Sequence, residues 1–297
     1  MGRVEKIAGL ALFVAGLTLH CLAWPWASAL GLVLAGTFSL ILPGKAGLPA
    51  LCMLPAIWFW GLLVEGSIPC PALLGLAVTV AGALALRHRL LWEWEVLADE
   101  RLPFLAKRKL YRMCGLVFPL VVFPLWGTGV YRLTLGVLAL AILIAEVARK
   151  RSAGFDRGFR RFFAGVSKKE EAENVSGTAW YLWGAAIASS FSGAIGPAAV
   201  VMMTLGDAWA VMTGVRWGRR HILGKKTLLG TAACFAVAFL SGFVFAGMNS
   251  AMPVRPAVFL AAAIVSAVSE LVTPGRWDNL TVTPATAFAI WVFQLVL

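Results

Sequence analysis

Apolar stretches of about 16–20 residues, the length of helix that crosses the hydrocarbon core of a bilayer, recur along this chain between short polar joints. Hydrophobic residues make up 60% of the 297 residues and charged residues only 13%. A soluble domain, in contrast, carries about 25% charged residues. Because so few charged side chains cannot cover the surface of a soluble protein of this size, lipid must form part of its surroundings. The sequence therefore predicts an all-α fold, a polytopic transmembrane bundle of about 10–11 helices.

Eleven apolar segments are predicted, and the first is interpreted as a transmembrane helix rather than a cleaved signal peptide. They lie at residues 7–24, 27–43, 47–65, 70–87, 113–129, 132–147, 177–195, 196–214, 228–247, 255–272 and 281–297. With the N-terminus inside, 24 of the 26 Lys and Arg residues fall on the cytoplasmic side, and only Arg132 and Arg255 fall outside. This distribution follows the positive-inside rule and explains the net charge of +12 without nucleic acid as a partner. We expect a multi-pass protein of the cell's inner membrane, with its N-terminus and active site cytoplasmic.

The distribution of polar residues divides the chain into two parts. The four segments before residue 88 carry few polar groups, and residues 88–106 suit either a helix in the membrane interface or a connector packed on the bundle. Residues 1–106 are therefore predicted to form an accessory domain, and residues 107–297 a seven-helix core that carries the chemistry. The joint 148–176 mixes basic residues with phenylalanines, which suits a segment at the level of the lipid headgroups.

Asp207 is the acidic residue that a bilayer tolerates least, because it lies inside an apolar segment. A carboxylate at the centre of a transmembrane helix costs about 2.5–3.5 kcal/mol and usually has a function. Glu270, Asp278 and Asn279 are predicted to reach the same depth at the cytoplasmic side. Two structural alternatives remain open: Asp207 pairs with a buried Lys or Arg only to specify helix packing, and Asp278 only caps the last helix. Glu146, at a helix end, is expected to be solvated.

A loop rich in glycines and cations precedes the ninth apolar segment. Glycines and cations followed by a helix start suit a polyphosphate, whose oxygens are neutralised by backbone N–H groups and by Lys or Arg side chains. The loop is not a Walker A motif, because five rather than four residues separate Gly218 from Gly224, and Lys225 is followed by Lys226. Nearby carboxylates that could hold Mg²⁺ strengthen the assignment to phosphate binding.

Together these motifs resemble the polyprenol kinase family, which includes dolichol kinase, phytol kinase and the CTP-dependent diacylglycerol kinase. That family is similar to the phosphatidate cytidylyltransferases. The resemblance covers roughly residues 107–297, and it is carried by residues 108–109, 206–210, 214–218, 226–231 and 278–282. The chain departs from the family pattern at Tyr111-Arg112, where a His often follows the Arg-Lys pair, and at Thr283, which intervenes before Pro284.

The resemblance implies transfer of the γ-phosphoryl group of CTP to a membrane-embedded alcohol: a polyprenol, a dolichol, a phytol-type alcohol or diacylglycerol. Asp207 and Asp278 would be the catalytic residues, and they would hold Mg²⁺ or orient the attacking hydroxyl. The residues implied to bind the nucleotide are Arg108, Lys109, Gly214, Arg216, Lys225 and Lys226. The supporting residues are Glu270, Asn279 and Thr281. The acidic position before Ser176 falls on Glu170, Glu171 or Glu173.

Two other functions fit parts of the pattern. A cytidylyltransferase that makes a CDP-lipid would share Asp207 and Lys226. Those enzymes usually carry a Pro-Gly-His-Gly-Gly stretch and paired aspartates, whereas residues 274–278 here hold one aspartate and no histidine. A secondary transporter would use Asp207 and Glu270 as ion sites within the membrane, yet the first six apolar segments hold no central acid. The kinase is therefore the favoured interpretation.

Overall fold

The computed structural model describes residues 102–163, 174–250, 252–275 and 277–297 of the chain. These residues fold into the helices α1 (Leu102–Met113), α2 (Phe123–Arg151), α3 (Ala153–Phe163), α4 (Gly177–Ser189), α5 (Ile195–Trp217), α6 (Leu228–Gly247), α7 (Pro256–Val272) and α8 (Asp278–Val296). A 3₁₀ turn, Cys114–Leu116, and a π turn, Phe118–Val122, connect α1 to α2. Within these ranges the strands are β1 (His221–Leu223) and β2 (Lys226–Thr227), which form an antiparallel hairpin. The described part of the chain is therefore all-α in class.

Some of the predictions fall outside the described residues. These are the first four apolar segments, most of the connector at 88–106, and the three candidate acids Glu170, Glu171 and Glu173. The predicted accessory domain, residues 1–106, lies outside them except for its last five residues.

Gly127 reverses the direction of the chain within α2. Its φ of 73° and ψ of −176° lie outside the helical region, and glycine adopts a positive φ at little cost. The rings of Phe123 and Tyr131 meet edge to face with centroids 5.8 Å apart, whereas eight residues of straight helix rise about 12 Å. Phe118 and Leu138 likewise line one cavity. The chain before Gly127 therefore runs back along the chain that follows it.

This reversal corrects the predicted joint between two apolar segments. The sequence predicts segments at 113–129 and 132–147, with the joint at residues 130–131 and Arg132 at the outer side. Arg132 lies in the part of α2 that follows Gly127, which we call the second arm of α2. Its guanidinium donates hydrogen bonds to the carbonyl oxygens of Ser189 (2.6 Å) and Phe191 (2.8 Å). The positive φ of the glycine sets the turn, and the arginine is satisfied by carbonyl groups at the end of α4. The other five predicted segments correspond to α4, α5, α6, α7 and α8.

Four helical runs among the described residues are long and apolar enough to cross a membrane. They are Lys107–Arg151, which includes the reversal in α2, Ile195–Trp217, Leu228–Gly247 and Asp278–Val296. One side of the second arm of α2 is apolar and exposed. Its side chains are 54–67% exposed at Leu133, Val137, Leu140 and Ile144. They recur at spacings of three and four residues and form one apolar stripe. A stripe of this kind suits contact with lipid.

α5 lies at the centre of the described helices. Residues 195–208 are all buried, and the helix packs against α1, α4, α6, α7 and α8. A helix enclosed on all sides has no polar face, and this explains why its sequence lacks amphipathic periodicity. At Gly206 an added Cβ would lie 3.2 Å from Sγ of Cys234, so this glycine lets α6 approach closely beside Asp207.

The helices alternate in direction, so most of their charged ends collect together. We use the term basic end for the end that carries the start of α1, the last turn of α5, the β hairpin and the start of α8. At the opposite end, Arg132 binds the carbonyl groups after α4, and Arg255 donates to the carbonyl oxygen of Gln294 at 3.3 Å. In the described ranges these two are the only Lys or Arg residues away from the basic end.

Candidate functional site

Asp207 binds two cations from α1. Its Oδ2 accepts hydrogen bonds from Nζ of Lys109 at 2.5 Å and from Nη1 of Arg112 at 2.6 Å. All three side chains are at most 9% exposed. We call these three residues the Asp207 cluster. Asp207 lies nine residues before Arg216, so the cluster is about 13 Å inside the basic end of α5.

Arg112 is the member of the cluster to which the sequence analysis assigned no role. It stands four residues after Arg108 and three after Lys109, and helical spacing of this kind places side chains on one face. Arg108 is also buried, at 6% exposure. The spacing of these cations along the sequence therefore indicates a shared helix face, but it does not indicate which acidic residue that face contacts. Only the fold reveals that this face meets Asp207 on another helix.

A second ion pair lies nearer the rim of the basic end. Nζ of Lys226, in β2, donates to Oε1 of Glu270 at 2.6 Å and also to the carbonyl oxygen of the same residue, at the end of α7. The Glu270 side chain is 9% exposed and that of Lys226 is 21% exposed. The predicted nucleotide-binding lysine and the predicted supporting acid are therefore direct partners.

The Asp207 cluster and the Lys226–Glu270 pair interact electrostatically. Glu270 interacts electrostatically with both Asp207 and Lys109, and Lys109 interacts with Asp278. These charges come from four helices and one strand, yet they lie within interaction range in an interior that screens charge poorly. The structure thus brings Lys109, Asp207, Lys226, Glu270 and Asp278 into one neighbourhood.

The loop between α5 and α6 packs tightly against both helices. Oγ1 of Thr227 accepts a hydrogen bond from the backbone N–H of Gly230 at 3.1 Å and so caps α6. An added Cβ on Gly214 would lie 2.9 Å from that Oγ1, and one on Gly230 would lie 2.7 Å from the carbonyl oxygen of Ala210. The predicted phosphate-binding role of Gly214 stays a prediction, whereas its packing role is direct.

The two remaining predicted cations of this loop differ in environment. Arg216 is half-buried against the ring of Trp217 (5.9 Å from its guanidinium carbon), and its Nε and Nη2 are buried without a hydrogen-bond partner in the described ranges. Lys225 is exposed beside Gly224, whose φ of 56° forms the hairpin turn. Arg216 therefore faces inward with donors to offer, and Lys225 faces solvent.

Asp278 and Asn279 begin α8 beside the start of α4. Trp277 is the N-cap residue and Asp278 the first helical residue, so Asp278 is not itself the N-cap. The predicted catalytic role of Asp278 stays a prediction. Oδ1 of Asp278 accepts from the backbone N–H of Asn279 at 2.7 Å. Asn279 is 1% exposed, its Nδ2 donates to the carbonyl oxygen of Gly177 at 3.4 Å, and its Oδ1 has no partner in the described part of the chain. Asn279 therefore fixes α8 against α4.

Thr281 lies one helical turn after Asp278 in α8. Its exposed side chain donates to the carbonyl oxygen of Trp277 at 3.0 Å and bonds to the hydroxyl of Thr273 at 3.2 Å. These bonds close the turn between α7 and α8. The predicted supporting role of Thr281 in the nucleotide site stays a prediction.

Mg²⁺ binds carboxylates together with phosphate oxygens and water. Asp278 fits such a role, because it is half-buried at the basic end and forms no ion pair with another described residue. Oδ2 of Asp207 does not fit it in this arrangement, because a divalent cation there would meet the ammonium of Lys109 and the guanidinium of Arg112. The predicted metal role of Asp207 stays a prediction. No group of three or more His, Cys, Asp or Glu residues in the described ranges could hold a metal by itself.

Comparison with known proteins adds no relative. No protein-family model matches the chain, and no curated protein or solved structure is significantly similar to it. The resemblance to the polyprenol kinases therefore rests on the short motifs of residues 107–297.

The expectation that Glu146 is solvated is wrong. Glu146 is 2% exposed, its Oε2 accepts from Nε of Arg149 at 2.6 Å, and its Oε1 accepts from the backbone N–H of Ser176 at 2.9 Å. Arg149 also donates to the carbonyl oxygen of Asn174 and lies 3.7 Å from Asp156. A charged residue at the end of an apolar helix is expected to be in contact with water. Here the residues that follow Glu146 in the chain fold back and cover its side chain.

The basic end holds buried and half-buried charges of both signs. Among the described residues outside the Glu146 network, five cations and three carboxylates at the basic end are buried or half-buried. The cations are Arg108, Lys109, Arg112, Arg216 and Lys226, and the carboxylates are Asp207, Glu270 and Asp278. Cations in such a setting suit the binding of polyphosphate oxygens.

Proposed function

We propose that this chain is a CTP-dependent lipid-alcohol kinase. It would transfer the γ-phosphoryl group of CTP to the hydroxyl group of a polyprenol, a dolichol, a phytol-type alcohol or diacylglycerol. The observation that carries this proposal is the Asp207 cluster, in which a buried carboxylate holds two cations among apolar helices. A membrane protein keeps buried charges at such a cost mainly where they serve a function.

The proposal includes a place in the cell. We infer an integral, multi-pass protein of the inner membrane, with 10–11 helices as the sequence predicts and with the basic end in the cytoplasm. The four long apolar runs and the outward apolar stripe of α2 support insertion in lipid. The concentration of described Lys and Arg residues at one end supports the cytoplasmic orientation. CTP, a cytoplasmic nucleotide, would then reach the site directly.

Phosphoryl transfer mainly requires positioning and neutralisation of charge. In the proposed reaction the alcohol oxygen bonds to the γ-phosphorus while the bond from that phosphorus to the β–γ bridging oxygen breaks, and CDP leaves. Lys109, Arg112, Arg216 and Lys226 would bind the phosphate oxygens, with Arg108 closing the site and Lys225 attracting the nucleotide from solvent. Oδ1 of Asp207, which takes part in neither ion pair, would orient the attacking hydroxyl, whose proton is lost to water.

Mg²⁺ would supply further neutralisation of the β- and γ-phosphate oxygens when it is bound with the nucleotide. Asp278 is the carboxylate we assign to hold it, with Asn279 fixing the start of α8. Asp207 would hold Lys109 and Arg112 in place through Oδ2 and would orient the attacking hydroxyl through Oδ1.

The test is phosphorylation by the purified protein. In liposomes, with Mg²⁺ and CTP labelled at the γ-phosphorus, we expect label in a lipid phosphate when a polyprenol, phytol or diacylglycerol is supplied. ATP labelled in the same way should transfer less. Absence of a labelled lipid with every alcohol and both nucleotides would overturn the proposal.

The same assay separates the kinase from its rivals. A cytidylyltransferase would use phosphatidate, release pyrophosphate and leave the cytidine label in the lipid, whereas the kinase releases CDP. A secondary transporter would use no nucleotide and would move a solute into liposomes. The cationic surroundings of Asp207 favour an anionic substrate and count against uptake of a cation at this carboxylate.

A further inference from the structure

The short helix α3 follows the second arm of α2 after a sharp bend. Ser152 separates the two helices, and its φ of −131° and ψ of 113° lie outside the helical region. Nη1 of Arg149 nevertheless lies 3.7 Å from Oδ1 of Asp156, and its guanidinium carbon lies 5.1 Å from the ring centre of Phe159. In one straight helix, residues 149 and 159 would be about 15 Å apart along the axis. α3 therefore turns away from the direction of α2 instead of extending it.

The phenylalanines and the arginines of α3 occupy opposite faces of the helix. Phe155, Phe159 and Phe162 recur at spacings of four and three residues and so form one apolar face. Arg157 and Arg161 are four residues apart and lie together on the opposite face. No residue of α3 is buried. α3 therefore has the pattern of a helix that lies at a boundary between an apolar phase and water.

One edge of the apolar face is held against the rest of the described chain. Phe159 packs against the guanidinium of Arg149, and the ring of Phe163 meets the ring of Tyr111 in α1 edge to face, with centroids 6.2 Å apart. Phe155 and Phe162, in contrast, are 46% and 81% exposed. The packed edge fixes the rotation of α3 about its axis, and this rotation directs these two rings outward.

The neighbouring part of α2 indicates which phase these rings meet. The apolar stripe on the second arm of α2 extends to Val147, which is 44% exposed, and the exposed Arg151 follows four residues later on the same face. A helix face that changes from apolar to basic side chains at its end suits the level at which acyl chains meet head groups. α3 begins two residues after Arg151, so it lies at this level.

The charges of α3 determine which head groups it fits. Nε of Arg160 donates to Oδ2 of Asp156 at 2.6 Å, so this arginine is paired within the helix. Arg157 and Arg161 are exposed and form no ion pair with another residue of the described ranges. A guanidinium binds two phosphate oxygens at once. An anionic lipid complements the charge of these two arginines better than a zwitterionic lipid does.

We propose that α3 binds anionic phospholipids at the cytoplasmic surface of the membrane. The phosphate groups lie at Arg157 and Arg161, and the rings of Phe155 and Phe162 enter between the acyl chains. This binding does not depend on the kinase activity, because the bound lipid is not a substrate. It rests on the inferred insertion of α2 in a bilayer.

A photo-cross-linker in place of the most exposed ring tests the contact with lipid. The variant Phe162→p-benzoylphenylalanine is reconstituted in liposomes of phosphatidylcholine with a smaller share of phosphatidylglycerol, irradiated, and examined by mass spectrometry. We expect adducts with phospholipid. The matched control, Arg161→p-benzoylphenylalanine, places the same group on the opposite face and should give much less lipid adduct. Equal yields at the two positions, or adducts at 162 with a second copy of the chain instead of lipid, would overturn the proposal.

The lipid composition of the adducts tests the role of charge. We expect phosphatidylglycerol to exceed its share of the membrane about fivefold or more, since each arginine near the surface contributes roughly that factor in affinity for anionic lipid. Arg157→Gln/Arg161→Gln should remove the enrichment. Arg219→Gln/Arg220→Gln removes the same charge from exposed positions outside α3 and should keep it. No enrichment in the parent protein, or the same loss in both double variants, would overturn the binding site.

These outcomes are independent of the proposed kinase, because cross-linking requires no turnover. Enrichment of phosphatidylglycerol at position 162 in a protein that phosphorylates no lipid would leave the α3 site standing and overturn the kinase. Phosphorylation of a lipid alcohol without this enrichment would overturn the α3 site and leave the kinase standing.

Discussion

Nζ of Lys109 lies 2.5 Å from Oδ2 of Asp207, although the two residues are 98 positions apart in the chain. The pair ties the second half of α1 to the central helix α5, and Arg112 binds the same oxygen. The same contact has two explanations. It can hold the helices in register, or it can hold cations ready for a nucleotide.

Replacing all three charges of the Asp207 cluster distinguishes these explanations. We expect the variant Lys109→Met/Arg112→Met/Asp207→Leu to fold with a stability equal to or greater than the wild type's, because apolar replacement of a buried ion group is neutral or stabilising by about 1–4 kcal/mol. We expect it to phosphorylate no lipid. The measurements are thermal unfolding in detergent and transfer of the γ-label from CTP. Turnover like that of the wild type would assign the cluster to packing alone.

Asp207→Asn removes the charge and keeps the shape of the side chain. It should insert into the membrane and lose turnover by about 100-fold or more, as expected when a preorganised electrostatic group is lost. It should also unfold at a lower temperature, because Lys109 and Arg112 lose their buried counter-charge. Lys107→Met is the matched control, since Lys107 is an exposed cation on the same helix. A comparable loss of turnover in Lys107→Met would show that general surface charge, and not the cluster, sets the activity.

The Lys226–Glu270 pair predicts unequal effects of its two partners. Lys226→Gln removes a cation assigned to the nucleotide and leaves Glu270 buried without its counter-charge, so we expect the KM for CTP to rise about tenfold. Glu270→Gln keeps the acceptor carbonyl of residue 270 for Lys226 and should have a smaller effect on this KM. Lys150→Gln, an exposed cation at the same end, serves as the control. A KM in Lys226→Gln equal to that of the control would remove Lys226 from the nucleotide site.

Much of the described architecture could be predicted from hydrophobic pattern, because apolar length alone sets a membrane-spanning helix. The segment predicted at 228–247 has the bounds of α6, and the cost of an isolated carboxylate singled out Asp207. The reversal lies at Gly127, a few residues before the predicted joint at 130–131, because a positive φ leaves no mark in a hydropathy pattern. The environment of Glu146 was also missed, because its partners lie further along the chain and meet it only in the folded protein.

Arg149 should be essential for the stability of the folded protein, because it is the buried counter-charge of Glu146. It binds Glu146 at 2.6 Å and its guanidinium lies 5.1 Å from the ring centre of Phe159, with both ion-pair side chains at most 3% exposed. Arg149→Met leaves Glu146 as an unpaired buried charge, which costs about 3–5 kcal/mol. Lys150→Met changes an exposed neighbour and should alter stability little. Denaturation midpoints in one detergent would compare the two, and equal midpoints would contradict the buried network.

Two glycine-to-alanine changes in helices should act in opposite directions. At Gly184 in α4 a Cβ would meet the backbone of α8, namely the carbonyl oxygen of Asn279 and the Cα of Leu280 at 3.2 Å. Gly184→Ala must therefore push α4 and α8 apart, at a cost of about 1–3 kcal/mol, and it should lower turnover because Asn279 moves with α8. At Gly136 in α2 a Cβ would meet nothing within 4 Å, so Gly136→Ala should stabilise the helix by about 0.5–1 kcal/mol. Thermal unfolding and lipid phosphorylation measured on both variants check the pair. A Gly184→Ala protein as stable and active as Gly136→Ala would contradict the close contact between α4 and α8.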